Sequence, residues 1–123
     1  MQKFIMVSAC FLGALGVVTG AFAAHALRTA LETSGRLEAF ETGVKYQFVH
    51  VLLMLAVGIM MDKWKHPFIG YAGLAAFAGI LLFSGSIYAL CLTDVRMGLV
   101  TPVGGLFLIT SWVLLGAGLV KSL

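Results

Sequence analysis

FIMVSACFLGALGVVTGAFAAHAL, Phe4–Leu27, is a run of 24 residues without one formal charge. As an α-helix it would rise roughly 36 Å, enough to cross a hydrocarbon core of about 30 Å. A secretory leader is the competing reading, with Lys3 as its basic flank and Ala21-Phe22-Ala23 resembling a cleavage site. The apolar run exceeds the usual leader core and continues to Leu27, so a retained transmembrane helix is expected.

Three further apolar runs follow, giving expected spans at about 4–27, 44–61, 68–92 and 98–120. Asp62-Lys63-Trp64-Lys65-His66-Pro67 forms a polar turn after the second, and Thr93-Asp94-Val95-Arg96 another after the third. Hydrophobic residues make up 61% of the chain and charged residues 11%, with a mean hydropathy of +1.06. A soluble domain carries about 25% charged residues. The shortfall leaves too little polar surface to coat a water-soluble globule, so the lipid bilayer is the expected solvent. The chain reads as one all-α domain, an integral membrane four-helix bundle.

The net charge of +3 does not point to nucleic acid. Its basic residues are scattered singly, with no basic stripe interleaved with aromatics. Counted by end, Lys3, Lys63, Lys65 and Lys121 face Arg28, Arg36, Lys45 and Arg96, a balance under the positive-inside rule. Trp64 beside a lysine pair makes a compact anchor, which sets the expectation that both termini are cytoplasmic. Cys10 and Cys91 belong to no CxxC or Cys/His spacing and read as small hydrophobes. As helices their levels differ too much for a disulfide.

Between the first two spans lies the one extended polar stretch. Leu37, Phe40 and Val44 recur at helical spacing, with Glu38, Glu41 and Lys45 off that stripe. Ser34 reads as an N-cap, Gly35 as a turn residue, and Glu41 as an ion-pair partner four residues before Lys45. A short amphipathic interfacial helix over about 35–44, continuing without a break into the second span, is expected. Thr101-Pro102 suits the first turn of the fourth span, and Gly104-Gly105 close packing. Small residues at Gly16, Gly20 and Ala24, Ala72 and Ala76, and Gly85 and Ala89 mark further candidate contact stripes.

The second span carries the candidate site. Gly43, Gln47, His50 and Met54 share one helical face. Counted from Met61, His50 stands roughly 16 Å and Gln47 roughly 21 Å into the bilayer. Polar groups at that depth need partners, because an unsatisfied one in hydrocarbon costs several kcal/mol. Thr19, Ser84 and Thr110 fall at neighbouring levels and are the expected hydroxyl partners. His25 closes the first span, where an imidazole can bond the last carbonyls. It stands roughly 15 Å above His50, too far to share a metal ion, so no metal and no cofactor is expected.

Two readings of the cluster stay open. Gln47 and His50 can be interhelical glue, or they can line a proton or solute path. No serine is paired with a base and the carboxylates lie in polar connections, so an enzyme is not expected.

The same residues carry a resemblance. Gly20-Ala21-Phe22-Ala23-Ala24-His25-Ala26-Leu27, Phe40-Glu41-Thr42-Gly43-Val44-Lys45-Tyr46-Gln47 and His50 resemble the YgdD-like family of small inner-membrane proteins. Gly85-Ser86-Ile87-Tyr88 and Thr101-Pro102-Val103-Gly104-Gly105 fit the same pattern, in order along nearly the whole chain. Ala23 stands where many members have glycine, and Lys45 where arginine is usual. The family is one of unknown function, with a small animal transmembrane protein as a relative. The resemblance implies a bacterial cytoplasmic-membrane location and singles out His25, Glu41, Tyr46, Gln47 and His50, with Tyr88, Arg96 and Thr101 at the same end. It implies no activity. An accessory component of a membrane complex, partnered by another membrane protein or a second copy, is the leading expectation. A small transporter or channel is the alternative.

Overall fold

Pro67 sets one corner of the chain. Its ring drives His66 into extended backbone (φ −66°, ψ 131°), and the His66 imidazole accepts the Phe68 N–H at 3.2 Å. The computed structural model describes every residue, Met1–Leu123, as five helices. These are α1 (Gln2–Ala24), α2 (Arg28–Thr33), α3 (Leu37–Lys63), α4 (Pro67–Thr93) and α5 (Val100–Ser122). All but α2 are long and apolar enough to cross a membrane. Each of these four overlaps one expected span; α1 stops at Ala24, short of Leu27, and α3 begins at Leu37, ahead of residue 44.

The helix expected over about 35–44 is present as the first turns of α3, continuous with the second span, but a separate short helix, α2 at Arg28–Thr33, precedes it and is divided from it by a turn. The reason is a helix stop at Gly35. Its φ of +71° is the left-handed region, where glycine carries no steric penalty. Gly35 N–H bonds the Glu32 carbonyl at 3.1 Å and Arg36 N–H the Leu31 carbonyl at 2.9 Å, which closes α2 in a Schellman motif. Ser34 therefore ends α2, donating to the Leu31 carbonyl, and does not cap α3. Arg36 precedes α3, which then runs unbroken to Lys63. Leu31 is buried with Ala23 and Phe40, so α2 packs as a lid on one end of the bundle. Its exposed side carries the Arg28–Glu32 ion pair at 2.8 Å; the expected Glu41–Lys45 pair does not form.

The long helices run up and down. Gly58 faces Met6 and Gly20 faces Val44 across α1 and α3, and Gly43 faces Ile87 and Gly73 faces Val57 across α3 and α4. Gly104 meets Phe83 and Gly118 meets Ile69 across α4 and α5. Each pairing runs in opposite directions along its two helices, so both termini share one end. The core lies between these helices, from Ile5, Ala9 and Leu12 through Met54 and Val57 to Ile80, Leu108 and Leu115. The outer faces are apolar as well, with Phe11, Val17, Leu52, Ile59, Leu106, Ile109 and Val113 exposed. A surface of that kind suits acyl chains and not water. Gly16 and Gly20 pack within the chain against Phe48 and Val44, and Ala72 and Ala76 are buried, whereas Gly85 meets nothing.

Candidate functional site

Gln47 is the pivot. It sits on the buried face of α3, 1% exposed, and Gly43 one turn earlier lets α4 come close. A Cβ on Gly43 would stand 3.2 Å from the Tyr88 ring and 3.3 Å from Ile87. Through that approach the Ser84 hydroxyl donates to the Gly43 carbonyl at 2.7 Å, and the Tyr88 hydroxyl to Gln47 Oε1 at 2.5 Å. On its other side Gln47 Nε2 donates to the Leu12 carbonyl of α1 at 2.7 Å. One amide thus joins three helices.

His50, one turn further along and 6% exposed, joins the fourth. Its Nδ1 lies 2.7 Å from the Tyr46 carbonyl, and Trp112 Nε1 on α5 donates to its Nε2 at 3.0 Å. These partners dictate the protonation. A carbonyl only accepts, so Nδ1 carries the hydrogen; an indole N–H only donates, so Nε2 offers a lone pair. His50 is held as a neutral imidazole of one tautomer, and protonating Nε2 would set N–H against N–H. No buried side-chain polar atom in the chain lacks a partner. Five cavities on the chain are lined by other residues and not by Gln47 or His50.

Of the residues singled out in sequence, Gln47 and His50 are buried and bonded across helices, Tyr46 takes part through its carbonyl, and Ser84 reaches α3 at the Gly43 carbonyl and bonds neither Gln47 nor His50. Thr19 turns its hydroxyl to the Leu15 and Gly16 carbonyls of its own helix, both at 3.1 Å, while standing beside the Tyr88 phenol. Thr110 is not a partner: it is exposed and donates to the Leu106 carbonyl. Two residues along a helix is more than half a turn, so α5 presents Trp112 to His50 and Thr110 elsewhere. His25 and Glu41 stand apart and exposed at the α2 end, and the His25 imidazole bonds no carbonyl, only its backbone N–H reaching Ala21. Arg96 belongs to the loop before α5 and lines a separate cavity with Arg36, Ser86 and Thr101.

Trp112 and the Leu12 carbonyl were missed. Depth counting held a signal for the first: Trp112 lies roughly 12 Å from Val120 along its helix, within a turn of the His50 level. A backbone carbonyl carries no sequence signal. Leu12 could serve only because a helical carbonyl keeps a second lone pair.

Comparison with known proteins agrees with this architecture. Residues 19–105 match the family described as Protein of unknown function (DUF423). A UPF0382 membrane protein of Staphylococcus saprophyticus is 38% identical over 98% of this chain and 99% of its own. YwdK, a UPF0382 membrane protein of Bacillus subtilis, is 38% identical over the full length of both. The UPF0382 inner membrane protein YgdD of Escherichia coli is 33% identical over 98% of this chain and 92% of its own. No solved structure matches the chain. The inner-membrane location carried by the resemblance agrees with those names, and the chain belongs to the DUF423 family of multi-pass membrane proteins.

Proposed function

We propose that the chain is a non-enzymatic structural or accessory component of a membrane complex, and that its intramembrane polar residues act as interhelical glue. The observation that carries this reading is that each polar side-chain atom of Gln47 and His50 has a partner, and that these partners come from all four long helices. Such a network fixes helix positions and leaves no polar atom free to hand a solute or proton onward. The buried serines support the non-enzymatic part: Ser84, Ser86 and Ser111 each donate to a backbone carbonyl, so none is activated by a base.

The alternative, a small transporter or channel, requires His50 to exchange protons, at the cost of its Trp112 bond. Proteoliposomes decide between them. Wild-type protein is expected to pass no proton flux under a pH gradient. His50→Ala is expected to lower thermal stability by about 1–2 kcal/mol at every pH where the imidazole is neutral. Flux through wild-type liposomes that disappears in a well-folded His50→Ala variant would establish the transporter. Affinity purification in mild detergent tests the accessory role, which expects a second membrane protein in fixed ratio.

A further inference from the structure

A polar cavity of about 320 Å³ lies away from the Gln47 network, where α4 ends and α5 begins. Of its seven lining residues only Leu90 and Met97 are hydrophobic, whereas the cavity on the outer face of α4 and α5 is lined almost wholly by apolar side chains. Two cations face it. The Arg36 side chain is 25% exposed and pinned, with Nη1 on the Leu90 carbonyl at 3.0 Å and Nη2 on Asp94 at 2.5 Å. Arg96 is exposed and has no carboxylate within 4 Å, since the chain's two ion pairs are Arg28–Glu32 and Arg36–Asp94. Arg36 is neutralised by Asp94, so Arg96 leaves the cavity with a net positive charge.

Hydroxyls complete the lining. Thr101 and Ser86 hydrogen-bond to each other across it, and Ser86 also bonds the Phe83 carbonyl at 2.9 Å. With the Ser86 proton on Phe83, Thr101 donates to Ser86; with the Ser86 proton turned to Thr101, the Thr101 hydroxyl is free to donate to a ligand. Thr101 N–H, in the first turn of α5, has no backbone partner. A guanidinium, a hydroxyl and a free amide around one space match the acceptor oxygens of a phosphate. The surroundings name its source. Leu92 at the end of α4 and Leu99 just before α5 stand exposed, as does Val103 in the apolar cavity on the outer face of α4 and α5, a surface for acyl chains next to the segment that carries the cationic recess.

We propose that this cavity binds a phosphate group, presented by the headgroup of an anionic lipid. The full chain in detergent, titrated with phosphatidylglycerol or phosphatidylcholine and read by native mass spectrometry, tests it. A parallel arm follows thermal melting with inorganic phosphate against chloride at matched ionic strength. Phosphatidylglycerol is expected to be retained over phosphatidylcholine. Arg96→Gln should weaken it about fivefold, the order one cation contributes at an anionic surface. Thr101→Val, which changes no charge, should weaken it about threefold. Lys45→Gln, which removes an exposed charge at the same end but outside the cavity, should change nothing. Stabilisation by inorganic phosphate that Arg96→Gln abolishes, with no lipid preference, keeps the phosphate site and assigns it to the soluble anion. The proposal is overturned if wild type binds neither, or if Lys45→Gln weakens binding as much as Arg96→Gln.

Discussion

The seam between α3 and α4 and the seam between α4 and α5 are joined by different devices. Across the first, Ser84 and Tyr88 reach over to Gly43 and Gln47, so side chains on one helix bond groups on the other. Across the second, the Ser86–Thr101 bond joins one end, and along the rest glycines take the place of side chains. Gly79 receives Leu108, Gly118 receives Ile69, and Gly104 lies against the backbone of Phe83 and Leu82. In lipid, apolar side chains gain little by leaving the solvent for a neighbour, so both devices are needed where water would have needed neither. They differ in what failure costs. A side chain that loses its hydrogen bond often finds another partner in the membrane, whereas a backbone pressed against a backbone has nowhere to move.

The largest effect is therefore expected at Gly104. A Cβ there would stand 2.7 Å from Phe83 Cα and 2.8 Å from the Leu82 carbonyl carbon, and neither atom can rotate away. Gly104→Ala should cost about 3 kcal/mol, the upper part of the overpacking range. Its neighbour is the control, because a Cβ on Gly105 meets only the Phe83 ring, at 3.8 Å. Gly105→Ala should lie within about 0.5 kcal/mol of wild type. Thermal unfolding in detergent that ranks the two alike would show that the second seam is not held by close approach.

How far each seam was legible follows from its device. Gly104-Gly105 can be read as a packing pair, but only Gly104 lies against a neighbouring backbone, because rotation about the helix axis depends on contacts that no local pattern contains. The spans were legible because hydrocarbon thickness fixes their length. So was the depth of Gln47 and His50, because residue count along a helix is distance. Azimuth was not, and for that reason Thr110 seemed a partner while Trp112 went unnoticed. The α2 region failed on punctuation: Ser34 and Gly35 fit a helix start as well as a stop, and tertiary burial of Leu31 and Phe40 favours the stop. Polar connections held the remaining surprise, since Arg36 and Asp94 are 58 residues apart and only the fold brings them together.

A double-mutant cycle on Gln47→Leu and Tyr88→Phe probes the polar seam directly. Their hydrogen bond at 2.5 Å is flanked by the Gln47 bond to Leu12, so each single change should destabilise by about 1–2 kcal/mol. The coupling between them should be near 0.6 kcal/mol and no more than about 1.7, the range of interhelical hydrogen bonds in membranes. A coupling above about 3 kcal/mol would reverse the ranking of the two seams and make the polar contacts dominant.

The smallest effect belongs to the Arg36–Asp94 pair, which clasps the α3 and α4 ends outside the membrane. The side chain of Asp94 is 75% exposed, and exposed pairs contribute little. Arg36 nonetheless holds the Asp94 carboxyl below the usual carboxylate range, first by its hydrogen bond and then by its charge. A depressed folded-state pKa means that the contribution is complete above the unfolded value of about 3.9 and disappears as pH falls through the folded one. Asp94 also ends α4 with φ of +60°, a conformation asparagine tolerates as well as aspartate. Asp94→Asn therefore removes the charge without disturbing the backbone. Its melting temperature should lie slightly below wild type at neutral pH, and the two should begin to converge as pH falls past the unfolded value of about 3.9 and meet only below the depressed folded-state value, where both side chains are neutral. Curves that stay parallel through that range would show that the ion pair adds nothing to the end of the first seam, leaving Arg36 to act through the Leu90 carbonyl alone.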